Sequence, residues 1–151
     1  MAPGARALSR SALQIPHGPG AASPVVARNQ VFVSASYRTG GALLNLLPDG
    51  KFTTAWTSND IGTHFNTAIE KDGYLYAFDG RNEPDASLVC VEMKTGKVMW
   101  RTKLEWEETF TVDGVEKKQP MSTYRGTLLA VDGRFLCLGE LGHLLWLDLT
   151  P

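Results

Sequence analysis

The segment Ile69-Glu70-Lys71-Asp72-Gly73-Tyr74-Leu75-Tyr76 decides the fold class. Apolar residues flank a tight polar turn. Asp72-Gly73 is the pair that a two-residue type I′ hairpin favours, because both central positions need φ > 0. The pattern returns twice, upstream in Val26-Ala27-Arg28-Asn29-Gln30-Val31-Phe32-Val33 and downstream in Ala130-Val131-Asp132-Gly133-Arg134-Phe135-Leu136. Aligning Gln30 with Gly73 gives a spacing of 43 residues, and Trp56 and Trp100, each closing a unit, stand 44 apart.

Around these copies the chain reads as strands throughout. Short β-branched or aromatic runs bounded by Gly, Asp, Asn and Pro cover 25–27, 31–36, 42–47, 53–57, 67–70, 74–78, 88–93, 98–102, 128–131, 134–138 and 143–149. No segment holds the i, i+3, i+4, i+7 pattern over the length a helix needs. Leu144-Leu145-Trp146-Leu147 is apolar without alternation, which implies a strand covered on both faces. A period of ~40–45 residues matches a four-stranded propeller blade. The expectation is an all-β chain, a β-propeller fragment of about three four-stranded antiparallel blades at 23–57, 66–102 and 126–151. Gly73 and Gly133 are 60 apart. The longer interval is filled by an inserted hairpin at 109–118, with its own turn at Asp113-Gly114.

The second unit contains Cys90-Val91-Glu92-Met93-Lys94-Thr95-Gly96-Lys97-Val98-Met99-Trp100. This segment resembles the signature Ala-x-Asp-x-x-Thr-Gly-x-x-x-Trp of the pyrroloquinoline-quinone-like (PQQ-like) repeat family. Thr95, Gly96 and Trp100 match, Cys90 replaces the Ala and Glu92 the Asp. Gly96 suits a turn position at φ > 0, and Trp100 offers a large ring with an indole N–H that needs an acceptor. The first unit is a looser copy turning at Pro48-Asp49-Gly50. The third keeps Asp148 of the signature and stops. Propellers close with four to eight blades. The count therefore implies a fragment of a larger PQQ-like repeat protein, with an apolar blade face left open at each end.

Residues 1–22, rich in Ala, Gly, Pro and Ser, read as a flexible N-terminal segment. They show no signal-peptide core. A cytosolic protein, or a periplasmic or secreted one with a longer precursor, both remain open. No apolar run is long enough for a membrane span. A formal charge of −1, from 15 basic and 16 acidic residues, offers no positive field for nucleic acid. Cys90 and Cys137 each sit in an apolar run. They read as free thiols packed as small hydrophobes, with a disulfide or metal site as the alternative.

The resemblance brings in the quinoprotein dehydrogenases, which hold quinone and calcium on the propeller axis with carboxylate and amide ligands and often a disulfide of adjacent cysteines. Here the two cysteines are 47 apart. No carboxylate pair stands with a partner amide, and no nucleophile elbow or phosphate loop appears. No cofactor and no metal site is therefore expected, PQQ and calcium included. The leading expectation is a non-catalytic binding or scaffold module. Its partners would be a protein, peptide or carbohydrate ligand, or further propeller blades. A fragment of a quinoprotein-type oxidoreductase is the alternative. The candidate ligand-binding residues are His64 and Asn66, in the loop leading into the second unit, and Tyr37 and Arg38 at a hairpin tip. A solvent-facing or strand-capping histidine and a plain exposed turn are the competing readings. The polar insertion with Asp79, Arg81, Asn82, Glu83 and Asp85 could bind a cation, or be a solvated loop. His143 reads as a surface or packing residue.

Overall fold

The computed structural model describes residues 22–80 and 86–151. The expected lead-in, up to residue 21, and Arg81, Asn82, Glu83 and Asp85 of the polar insertion lie outside the described residues. The described residues are all-β, without a helix, in four antiparallel sheets. Sheet I runs β1 (Val25–Ala27), β2 (Gln30–Ala35), β3 (Gly40–Leu46) and β4 (Phe52–Ser58), each strand beside the next. Sheet II repeats that order with β5 (Ile69–Lys71), β6 (Tyr74–Asp79), β7 (Ser87–Glu92) and β8 (Val98–Thr102). A separate hairpin follows, β9 (Glu105–Val112) and β10 (Val115–Ser122), longer than the sequence suggests but turning at the expected Asp113-Gly114. Sheet III has three strands, β11 (Thr127–Val131), β12 (Arg134–Leu138) and β13 (Leu144–Leu147).

The first turn of each sheet is the hairpin read from the sequence. Arg28, Asp72 and Asp132 hold φ of 55°, 55° and 47° at its first central position. The pairings Ala27↔Gln30, Lys71↔Tyr74 and Val131↔Arg134 place Asn29, not Gln30, in the position of Gly73 and Gly133. That one-residue correction makes the hairpin spacing equal to the tryptophan spacing.

Successive residues of a strand face opposite sides, and sheet II is covered on both. Leu75, Ala77, Val89 and Val91 form one core with Phe32 and Leu43 of sheet I. Tyr76, Phe78, Leu88 and Cys90 form a second core with Leu128, Phe135 and Cys137 of sheet III. Full burial of a side chain of this size contributes about 1.5–3 kcal/mol. Two-sided cover holds for β6 and β7. It does not hold for β13, whose unbroken apolar run implies it: Leu145 and Leu147 pack on the second core, while Leu144 and Trp146 on the other face are exposed.

Each core is closed by a tryptophan. Trp56 in β4 donates its indole N–H to the Met93 carbonyl at 2.8 Å, on the β7–β8 turn of sheet II. Trp100 in β8 donates to the Thr150 carbonyl at 2.6 Å, just past the last strand of sheet III. Both pair across their sheet beside a register shift, Trp56 opposite Leu43 and Trp100 opposite Cys90. Both rings lie near an aromatic of the second strand, Phe32 at 5.9 Å and Tyr76 at 6.1 Å between centroids. The repeat is therefore structural as well as sequential. Trp100 is half-buried rather than fully enclosed, because its edge reaches the surface where the Thr150 carbonyl sits.

The Lys94-Thr95-Gly96 turn shapes the Trp56 seat. The Thr95 hydroxyl donates to Glu92 Oε2 at 2.5 Å and its oxygen accepts the Lys97 N–H at 3.2 Å. Gly96 stands at φ 76°, and a Cβ there would lie 2.8 Å from the Trp56 ring. Gly114 has nearly the same φ, 77°, with nothing within 4 Å of an added Cβ. Gly96→Ala is therefore predicted to lower stability by at least about 1 kcal/mol more than Gly114→Ala, the difference being the cost of overpacking against Trp56. Urea unfolding of the two variants measures it. Equal losses would show that Trp56 does not rest on Gly96.

Candidate functional site

In an antiparallel meander, alternate turns gather at opposite ends of the sheets. One end collects the β2–β3 turn, the loops leading into β5 and β11, and the β12–β13 turn. It is tied across sheets I and II. The Gly62 N–H donates to Asp79 Oδ1 at 2.6 Å. Arg101 pairs with the Asp79 carboxylate and donates to Ser87 Oγ at 2.8 Å and to the Asp60 carbonyl at 2.5 Å. Asp79, considered for a cation, is thus engaged in structure. Among the described residues no group of three or more His, Cys, Asp or Glu side chains is placed to hold a metal ion.

The loops into β5 and β11 correspond. Thr63-His64-Phe65 and Thr123-Tyr124-Arg125 stand 60 residues apart, as Gly73 and Gly133 do, and both threonines are 1% exposed. The Thr63 hydroxyl shares a short hydrogen bond with Ser34. These buried anchors fix the three residues that follow each threonine.

Between the two loops lies a cleft of about 280 Å³. His64, Phe65 and Asn66 form one wall, Arg125 and Glu140 the other, with Phe78 and Gly126 among the lining residues. Gly126 leaves room for Phe78, whose ring would lie 2.5 Å from an added Cβ. The Asn66 amide is fixed by its Nδ2 donating to the Phe78 carbonyl at 3.0 Å. Arg125 grips Glu140 in a bidentate pair, with Nε donating to Oε2 at 3.0 Å and a second, shorter bond from the other nitrogen. These bonds from Arg125 hold the Glu140 carboxyl below its usual range. The pair is therefore ionised at neutral pH.

The structure brings three of the four sequence-selected residues together. His64 is 9% exposed, in tilted contact with Phe65 at 3.8 Å and met edge-on by Tyr37 at 5.2 Å. Asn66 follows along the same wall. Arg38 stays exposed on its turn and is not among the residues that line the cleft. Tyr37 and Arg38 hold φ of 62° and 61°, with the Thr39 N–H closing the turn on the Ser36 carbonyl at 3.3 Å. Two consecutive left-handed residues that are not glycine cost about 1–2 kcal/mol each. Sequence reading missed Phe65, Arg125 and Glu140. The 60-residue offset between Gly73 and Gly133 was the available signal, since it makes Arg125 the loop equivalent of Phe65. His143 packs outside the cleft, its ring 4.9 Å from Trp106 and its Nε2 2.9 Å from Glu108 Oε1.

A second hollow of about 610 Å³ lies at the opposite end of the sheets, lined by turn residues that include Arg28, Asp72 and Lys94. Those three are exposed, so no buried charge or aromatic surface gives it a chemical preference. No protein-family model matches the chain, and no curated protein does.

Cys137 lies beneath the cleft, its sulfur 3.0 Å from where a Gly126 Cβ would stand. Cys90 and Cys137 are both free and buried. Burial pushes the Cys137 thiol up to about 11, and it also raises Cys90 and its neighbour Tyr76. A folded-state pKa above the unfolded value stabilises fully below the unfolded pKa and is lost as pH rises through the folded one. Stability is thus predicted to fall between about pH 9 and about pH 11, and Cys137→Ala to flatten part of that fall. Urea midpoints across this window test it. An unchanged slope in the variant would show that Cys137 titrates as it does unfolded.

Proposed function

We propose that the chain is a non-catalytic binding or scaffold module of PQQ-like repeats, arranged as part of a β-propeller, that presents its loop-end cleft to a ligand. The observation that carries this reading is the doubled tryptophan seat. Trp56 and Trp100 close successive sheet pairs with the same register shift, an aromatic neighbour on the second strand and the same kind of carbonyl acceptor. A unit that seats its neighbour in this way supports a stacked array in which each sheet depends on the next. Sheet III bears Leu129, Leu138, Leu144 and Trp146 exposed, which fits further blades of the same kind as partners. Rigid sheets carrying variable loops at one end are a common arrangement for recognition.

The cleft supports binding rather than reaction. Its charged residues among those described, Arg125 and Glu140, hold each other. No helix among the described residues is long and apolar enough to cross a membrane.

Titration with pyrroloquinoline quinone and Ca²⁺, followed by quinone fluorescence and alcohol-dependent dye reduction, tests the non-catalytic reading. We predict no saturable uptake and no dye reduction. Stoichiometric uptake coupled to dye reduction would overturn it in favour of a quinoprotein-type oxidoreductase.

A further inference from the structure

We propose that the cleft between residues 64–66 and 125–127 binds a neutral saccharide, one sugar ring stacking on Phe65 while its hydroxyl groups bond to Asn66 and to the Arg125–Glu140 pair. This rests on the reading of the loop end as a ligand-binding face and names the ligand class for it.

Phe65 carries the argument. It is 68% exposed, yet it is not a loose side chain. His64 touches it in a tilted contact, centroids 3.8 Å apart, and His64 is itself buried and braced by Tyr37. A fixed aromatic ring facing solvent beside oriented polar groups is the arrangement that takes a ligand with one apolar face and a polar rim. The C–H face of a pyranose provides such an apolar surface, and its hydroxyls provide the rim.

Charge selects against ions. Among the described lining residues the charged pair is Arg125 and Glu140, one positive and one negative, joined by two bonds. An anionic ligand would compete with Glu140 for Arg125, and a cationic one with Arg125 for Glu140. A hydroxyl both donates and accepts, and it can bond to a carboxylate that is already paired without breaking the pair. The Asn66 amide, held through Nδ2, retains a carbonyl oxygen as an acceptor. The volume, about 280 Å³, lies just below the ~300–1,000 Å³ range of drug-sized sites, which suits one or two sugar rings. An extended peptide would be recognised best at an unpaired strand edge, whereas both walls here are loops.

The test is titration of the ¹⁵N-labelled full chain with cellobiose, maltose and N,N′-diacetylchitobiose, in parallel with the uncharged peptide acetyl-Ser-Phe-Gly-Ser-amide. Amide shifts are followed in wild type, Phe65→Ala and Glu140→Gln. The expected result is saturable shifts at residues 64–66 and 125–127 with at least one disaccharide, weakened at least about tenfold in both variants. Phe65 is exposed, so its removal leaves the core intact, and the amide spectrum of each variant verifies its fold. Disaccharide binding that is unchanged in both variants overturns the assignment to this cleft. Peptide shifts at the same amides without any disaccharide response overturn the saccharide class and leave the binding face standing. Silence with all four probes overturns the saccharide class and also removes the support this cleft lends to a binding role.

Discussion

An indole packed at the rim of a sheet interface makes one bond that packing cannot: its N–H donates to a directed acceptor. In this chain that bond fixes the relation between sheets. Trp56 reaches out of sheet I to the Met93 carbonyl of sheet II, and Trp100 reaches out of sheet II to Thr150 beyond sheet III. Such a hydrogen bond, part-buried for Trp56 and at the surface for Trp100, contributes about 0.5–1.5 kcal/mol. Face-to-face packing of aliphatic residues tolerates sliding, because dispersion is non-directional. A hydrogen bond from the rim of each interface does not. The apolar contacts therefore hold the sheets together, and the two indoles fix where they sit.

The loop end depends on that placement. The cleft is not contained in any one sheet. One wall comes from the loop that leaves sheet I for sheet II, and the other from the loop into sheet III and the β12–β13 turn. Its geometry follows from two interfaces at once, which is why buried anchors recur there. Thr63 and Thr123 are enclosed, and Arg101 ties the Asp79 carboxylate to the Asp60 carbonyl across the sheets. The left-handed pair Tyr37-Arg38 is a local strain held in the same region, with Tyr37 braced against His64. Strained backbone persists where the surroundings over-determine it.

Much of the scaffold was legible because strand and turn chemistry is local. Asp72-Gly73, Asp113-Gly114 and Asp132-Gly133 each announce a hairpin by themselves, and each is one. Register was less legible. Arg28-Asn29 lacks a glycine, so the sequence alignment slipped by one residue, and only the pairing of Ala27 with Gln30 corrects it. The acceptors of Trp56 and Trp100 lie 37 and 50 residues away, and no local pattern names a carbonyl at that distance. The cleft was half legible for the same reason. His64 and Asn66 stand in one loop and could be read together, but their opposite wall is about 60 residues distant in sequence. Glu140 looks like any turn residue until Arg125 is placed beside it.

Hydrogen exchange at the indole nitrogens tests the central role of the two tryptophans most directly. The four indole N–H resonances separate in a ¹⁵N spectrum, and their exchange rates can be followed near neutral pH. The account predicts that Trp56 and Trp100 exchange more slowly than Trp146, which is 49% exposed on the outer face of sheet III. Exchange of all three at one common rate, in a chain whose backbone amides are protected, would contradict it: the sheets would then be joined by apolar contact alone.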